Sequence, residues 1–263
     1  MSSTNIILAP TPEIRAACDL IDDAIGRFLS ARGRTLDGYA ELGRYEADRA
    51  ALPLFNVAIR SVEGVLALAR TDLVLFPAAM MAARGAFETS LKAAWLVDCD
   101  AHFDRERRWL QLLESEERME ARLAGHLAKA GQDGSDRLKR RDELRAFRLE
   151  IERRFPDGYA ALKGAPSVEQ MMETLHDPQL YVAYIYLSQF LHGERAAASY
   201  YTPTSQPRRD AVTADDWSFP LKVVWLAFFR GARKLLVRFG GDPDSFMSEG
   251  EEVEVRNALA MVG

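Results

Sequence analysis

Cysteine is scarce in this sequence, which contains only Cys18 and Cys99 among its 263 residues. Two cysteines so far apart match neither the C-x-x-C spacing of a zinc or redox motif nor the dense disulfide framework of a small secreted domain. A reduced compartment is the simplest setting for such a chain. We therefore expect a cytoplasmic protein.

Long hydrophobic runs are also missing. The two most apolar stretches cover residues 73–83 and 219–229, and each is about half as long as the roughly 20 residues that span a bilayer. Residues 1–10 lack a basic segment followed by an apolar stretch, so they do not resemble a signal peptide. The sequence predicts no membrane association, and both apolar stretches are expected to form core helices.

Motifs for known chemistries are absent as well. The sequence has no phosphate-binding loop, dinucleotide fingerprint or G-x-S-x-G nucleophile motif. One Glu-x-x-His spacing occurs, from Glu173 to His176, but carboxylate-bridged metal bundles need two copies and further carboxylates. We therefore expect no metal and no cofactor.

Positive charge is not in excess. The chain has 34 lysines and arginines against 39 aspartates and glutamates, which gives a net charge of -5 and a pI near 5.5. This balance argues against a general nucleic-acid binder, although a local basic site stays open. The one dense basic stretch, residues 137–154, is interrupted by acidic residues. We expect it to form a solvated, salt-bridged hairpin, with an RNA-contacting surface as the alternative.

What the sequence does contain is helical periodicity along nearly its whole length. Residues 11–30 place their apolar side chains on a single stripe, formed by Ile14, Ala17, Cys18, Ile21, Ala24, Ile25 and Phe28. Residues 103–129 and 136–154 are charged and periodic, and a turn containing glycine separates them. No run of alternating apolar and polar residues indicates a sheet.

These patterns predict an all-α fold in a single domain over residues 1–263. We expect a bundle of roughly seven to nine helices. A long charged helical hairpin is expected to protrude from it at about residues 103–154.

The segment 77–96 carries charges on an otherwise apolar helix. Its small residues share one face and its large residues the other, and Arg84, Glu88 and Lys92 lie on the side of the large residues. One interpretation is an ion ladder on the only solvated stripe. The other is an Arg–Glu pair withdrawn from water, which would serve helix register or a functional site because such a pair adds little net stability. The sequence leaves both open.

A second polar group lies on the helix predicted to begin at Pro178. Tyr181, Tyr184, Ser188 and His192 fall within one quadrant of this helix. A histidine oriented by a hydroxyl could act as an acid or base near neutral pH. The structural alternative is a histidine that interacts with the helix dipole, next to tyrosines at a packing seam.

Two stretches carry a family resemblance. The segments MMAARGAFETSLKAAWL and YIYLSQFLHG resemble an uncharacterised family of bacterial all-helical proteins, domain of unknown function 5677, in which an Arg precedes a Glu by four residues and a later helix ends in Ser-x-x-x-His. The resemblance maps onto Arg84, Glu88, Ser188 and His192 and implies no activity. The family is also distantly similar to HEPN ribonucleases, but the nearest match to their motif, residues 122–126, has too short a spacing.

Two functions from different classes fit these observations. The first, which we favour because no catalytic motif is specific, is a non-enzymatic binding or interaction module, as a homo-oligomer such as a dimer or with a protein partner. The alternative is a metal-independent ribonuclease or phosphodiesterase-like enzyme of a bacterial defence or toxin type. It would use His192 as acid/base and Arg84 to stabilise phosphate charge, and it requires the two side chains to meet. The expected binding residues are Glu88, Ser188, Tyr184 and Tyr181.

Overall fold

The computed structural model describes residues 8–39, 44–156, 159, 164–200 and 212–262. Within these residues it has no strand, and nine α-helices have seven or more residues. In chain order the helices are α1 (Pro12–Asp37), α2 (Glu46–Thr71), α3 (Phe76–Val97), α4 (His102–Lys129), α5 (Ser135–Glu152), α6 (Val168–Thr174), α7 (Tyr181–Leu191), the five-residue α8 (Arg195–Ser199), α9 (Ser218–Arg238) and α10 (Glu249–Ala260). The predicted all-α bundle is confirmed.

Helix α3 lies at the centre of the bundle, with α2, α7 and α9 packed around it. Its start is set by Asp72, whose Oδ1 accepts a hydrogen bond from the Val74 amide at 3.0 Å. A short 3-10 turn, Leu73–Leu75, follows, and Pro77 occupies the first turn of α3, where proline needs no hydrogen-bond acceptor. Of the two effects that Pro77 could have, a kink or a delayed start, the structure shows the delayed start.

The crossing of α3 and α9 is unusually close. Ser90 of α3 donates a hydrogen bond to the Ala227 carbonyl of α9 at 2.5 Å. A Cβ atom added to Gly231, one turn further along α9, would lie 2.4 Å from both the Phe55 ring and the Ser90 hydroxyl. Only glycine fits at this point, so Gly231 sets the distance between the two helices.

The acidic C-terminal segment forms a helix of its own. Helix α10 has 12 residues and packs on α1 and α9. Ser248 and Glu251 form a capping box at its start, and Val255 and Leu259 are buried. The apolar residues of this segment are three to four positions apart, which suffices for a short amphipathic helix once α1 offers a surface to cover.

Helices α4 and α5 form the charged antiparallel hairpin. Leu144 is the only buried residue of α5. Ion pairs between the helices, such as Arg148 Nε to Glu117 Oε1 at 2.5 Å, and an edge-to-face contact between Trp109 and Phe147 hold the hairpin together. Basic side chains of α5 thus form ion pairs with carboxylates of both helices.

One helix of the described residues, α2, is long and apolar enough to cross a bilayer by length and composition alone. Core helices of soluble proteins pass the same test, and 39% of its most apolar window is buried inside the protein. This is weak support for a membrane span, and the absence of membrane association stays a prediction.

Replacement of Gly231 by alanine should destabilise the fold. The added methyl group overlaps the Phe55 ring and the Ser90 hydroxyl, and overpacking of this kind costs about 1–3 kcal/mol. Gly26→Ala in α1 is the matched control, because no atom lies within 4 Å of its added Cβ and alanine favours the helix by about 1 kcal/mol. Urea denaturation measures both variants, and equal stabilities would contradict the close crossing.

Candidate functional site

A groove opens between α2 and α4. Its volume is about 960 Å³. We call it the α2–α4 groove; residues 50–57 of α2, 109–122 of α4 and 165–171 around the start of α6 contribute its walls, while Glu88, Lys92 and Tyr184 contribute polar side chains from α3 and α7.

The walls of the α2–α4 groove are mainly apolar. Their large apolar side chains are Leu54, Val57, Trp109, Leu112, Leu113, Met119, Val168 and Met171. Val57 and Met119 are 52% and 51% exposed, so apolar surface faces solvent from both helices. A concave, apolar surface with a few polar groups is typical of ligand-binding pockets, which range over about 300–1,000 Å³.

Arg84 stands at the centre of the polar group next to this groove. Its Nε donates to Glu88 Oε1 at 3.0 Å and its Nη2 donates to the Tyr184 hydroxyl at 3.0 Å. The guanidinium carbon lies 5.0 Å from the centroid of the Tyr184 ring, which Tyr181 stacks on at 5.8 Å. We call Arg84, Glu88, Tyr181 and Tyr184 the Arg84 cluster.

The Arg84 cluster is largely withdrawn from water. The side chains of Arg84 and Glu88 are 13% and 26% exposed. The Nη1 atom of Arg84 is buried and has no hydrogen-bond partner among the described residues. Of the two interpretations of this charged stripe, the geometry matches the withdrawn pair, with Glu88 as the structural partner of Arg84. Because Glu88 and Tyr184 also line the groove, Arg84 fixes the position of two of its polar walls.

Lys92 differs from its neighbours on α3. It is half-buried and lines the groove, yet it makes no ion pair or hydrogen bond with any residue that the structure describes. Glu88, one helical turn away, bonds to Arg84 instead. The charged stripe of α3 therefore consists of the Arg84–Glu88 pair and of Lys92, which has no partner among the described residues.

Ser188 and His192 lie further along α7. The Ser188 hydroxyl donates to the Tyr184 carbonyl at 2.7 Å, a bond that stays within its own helix. His192 is exposed and follows the last residue of α7. It comes eight residues after Tyr184, which corresponds to about 12 Å along a helix axis. The structure joins Arg84 to Tyr184 and Glu88, and it shows no contact of Arg84 with His192; the catalytic pair stays a prediction.

A buried charge cluster was not anticipated from the sequence. Asp48 of α2 is 0% exposed and receives two hydrogen bonds from Arg238 of α9, at 2.8 and 2.5 Å. Arg105 of α4, 2% exposed, lies 3.4 Å from the same carboxylate and donates to the Cys99 and Asp100 carbonyls. We call Asp48, Arg105, Glu106 and Arg238 the Asp48 cluster. It connects α2, α4 and α9.

A signal for this cluster was present in the sequence. Asp48 shares the helical stripe of Ala51 and Phe55, and Arg105 shares that of Trp109. A charge on the apolar stripe of an amphipathic helix must be paired when the stripe is buried. The signal is hard to see at Asp48, because the polar stretch 33–49 shows no clear helical periodicity.

Glu106 has the most perturbed carboxyl group of this region. It is 6% exposed, and its Oε1 accepts a hydrogen bond from the Ala47 amide at 2.9 Å, at the start of α2. Burial, helped by the nearby carboxylates of Glu46 and Asp48, raises the pKa of Glu106 to about 7, against the lowering effect of that hydrogen bond.

No group of three or more His, Cys, Asp or Glu side chains in the described part of the chain is placed to hold a metal ion. The Glu173–His176 spacing thus stands alone there, and His176 has a backbone φ of 61°.

The fold and the groove define the class of this chain as an all-helical protein with a hydrophobic groove and a buried arginine beside it. Residues 48–207 match a family of unknown function, DUF5677. Because this match covers more than half of the chain, the protein belongs to that family, as its Arg84/Glu88 and Ser188/His192 motifs indicated. No curated protein and no solved structure matches the chain.

The free energy of unfolding should fall as the pH rises from 4.5 to about 7, because in this range Glu106 is protonated mainly in the folded protein. The pKa of Glu106 is about 7 in the folded protein and 4.5 as a reference, so between these values the folded state holds a proton that the unfolded state has lost. At pH values above neutral, the resulting loss in the free energy of unfolding amounts to about 3 kcal/mol at most. Glu106→Gln keeps an acceptor for the Ala47 amide and should remove this loss. Urea denaturation at several pH values measures it. Glu116→Gln, an exposed position on the same helix, is the control and should retain the wild-type profile.

His192→Ala should leave any RNA-cleaving activity of the purified protein unchanged. The imidazole is exposed and the structure shows no contact between it and Arg84, whose guanidinium is bonded to Glu88 and Tyr184. A fluorescent RNA substrate measures the rates of both proteins. A rate that depends on His192 would restore the catalytic pair and contradict the placement described above.

Proposed function

We propose that this protein is a binding module whose ligand occupies the α2–α4 groove. The observation that supports this proposal most directly is the groove itself, which offers about 960 Å³ of space between apolar walls. Apolar side chains of both α2 and α4 are exposed to solvent there. Isolated exposed apolar side chains are common on proteins, but a concave set of them is typical of a binding site.

The arrangement of the polar residues supports binding more than catalysis. Arg84 is committed to Glu88 and Tyr184, so it acts as a support for the groove wall. A binding site needs such fixed walls, because groups that are already ordered lose little entropy when a ligand arrives. From the sequence we also expect a homo-oligomer or a protein partner. This stays a prediction, and a measurement of the molecular mass in solution would test it.

Ligand binding in the groove should shift the methyl signals of its methionines. Met119 and Met171 both line the groove, and Met119 is 51% exposed. Decanol is a suitable probe because it fills an apolar groove without charge. In a protein labelled with ¹³C at its methionine methyl groups, decanol should shift the Met119 and Met171 signals in a saturable manner.

Met261 is the internal control for this experiment. It is 68% exposed and lies outside the groove. Binding by nonspecific contact would shift Met261 at least as much as Met119, and this result would overturn the proposed function. In Val57→Glu, which places a charge on the apolar wall, the shifts of Met119 should require a higher decanol concentration.

A further inference from the structure

The charges that line the α2–α4 groove do not balance. Two of them form ion pairs with residues outside the groove lining. Glu88 pairs with Arg84, and Arg118 Nη2 lies 2.5 Å from Glu114 Oε1. The remaining lining charges are Lys92, Arg122 and Glu116. Arg122 and Glu116 are exposed, so water and salt screen them. Lys92 is the only one of these three that is half-buried, and it projects from the central helix α3.

Lys92 places a cation next to the apolar walls of the groove. It is half-buried on the central helix α3, and its neighbours in the lining include Trp109 and Leu113, which are 9% and 6% exposed. Its Nζ atom is not among the buried side-chain atoms that lack a hydrogen-bond partner, so the ammonium group reaches solvent at the groove surface, where it can donate a charge-assisted hydrogen bond to an anion. Among the described residues no carboxylate lies within 4.0 Å of its Nζ.

From this geometry we infer that the ligand of the groove is an amphipathic anion, with an apolar body against the walls and a single carboxylate or phosphate group on the Lys92 ammonium. The inference rests on the proposed function and adds the chemical class of the ligand. The apolar walls on α2 and α4 hold the body, and Lys92 selects the head group by charge.

The test compares probes of equal chain length and different charge. Decanoate, decyl phosphate, decanol and decyltrimethylammonium are titrated below their micelle concentrations, and the Met119 methyl signal reports binding. A charge-assisted hydrogen bond corresponds to about a tenfold gain in affinity, so decanoate or decyl phosphate should bind about tenfold more tightly than decanol. The cationic probe should bind more weakly than decanol. Inorganic phosphate alone should not shift Met119.

Variants of Lys92 assign the head-group site. Lys92→Met keeps an unbranched side chain and removes the charge, so it should lose the preference for the anionic probes and still bind decanol. Lys92→Arg should retain the preference. Lys129→Met, an exposed lysine at the end of α4 and outside the groove, should behave as the wild type does.

Each outcome has one meaning. If anionic and neutral probes bind the wild type equally, or if Lys92→Met keeps the preference, the inferred ligand class is wrong and the groove is a neutral apolar site. If no probe of any charge shifts Met119 selectively, the proposed function itself is wrong.

Discussion

The carboxylate of Asp48 receives two arginines from different helices in a place that excludes water. Arg238 holds it with two hydrogen bonds, and Arg105 Nε lies 3.4 Å from its Oδ1. A buried ion pair of this kind contributes little net stability because both ions lose their hydration, but removal of one partner is costly since it leaves a bare charge. Such a group therefore favours one arrangement of helices over its competitors.

The α2–α4 groove depends on this constraint. Asp48 lies just before the residues of α2 that line the groove, and Arg105 lies just before those of α4. Glu106 adds a second connection between the two helices through the Ala47 amide. The two helices are thus connected near their starts, and the residues that line the groove follow directly along both of them. The buried ion pair and the candidate binding site thus lie next to each other on the same two helices, α2 and α4.

The candidate site was anticipated only in part. Arg84 and Glu88 one turn apart, and Tyr181 and Tyr184 on a later helix, were recognisable because helical spacing fixes which side chains share a face. Their union into one cluster depends on how α7 lies against α3. That packing is decided by contacts far apart in the chain, such as Phe76 with Phe190 at 5.4 Å between ring centroids. Local spacing carries no information about such contacts.

The sequence by itself determined the helical class, most helix positions and the charged hairpin, because each follows from local periodicity and from capping residues such as Thr11 and Ser167. It also identified the family through two short motifs. Three features follow from the tertiary structure alone: Asp48 is buried with two arginines, burial raises the pKa of Glu106, and Lys92 lines a groove without a partner among the described residues. Burial is the physical reason: the energy of a charge depends on the water it has lost, and that loss is set by which helices meet.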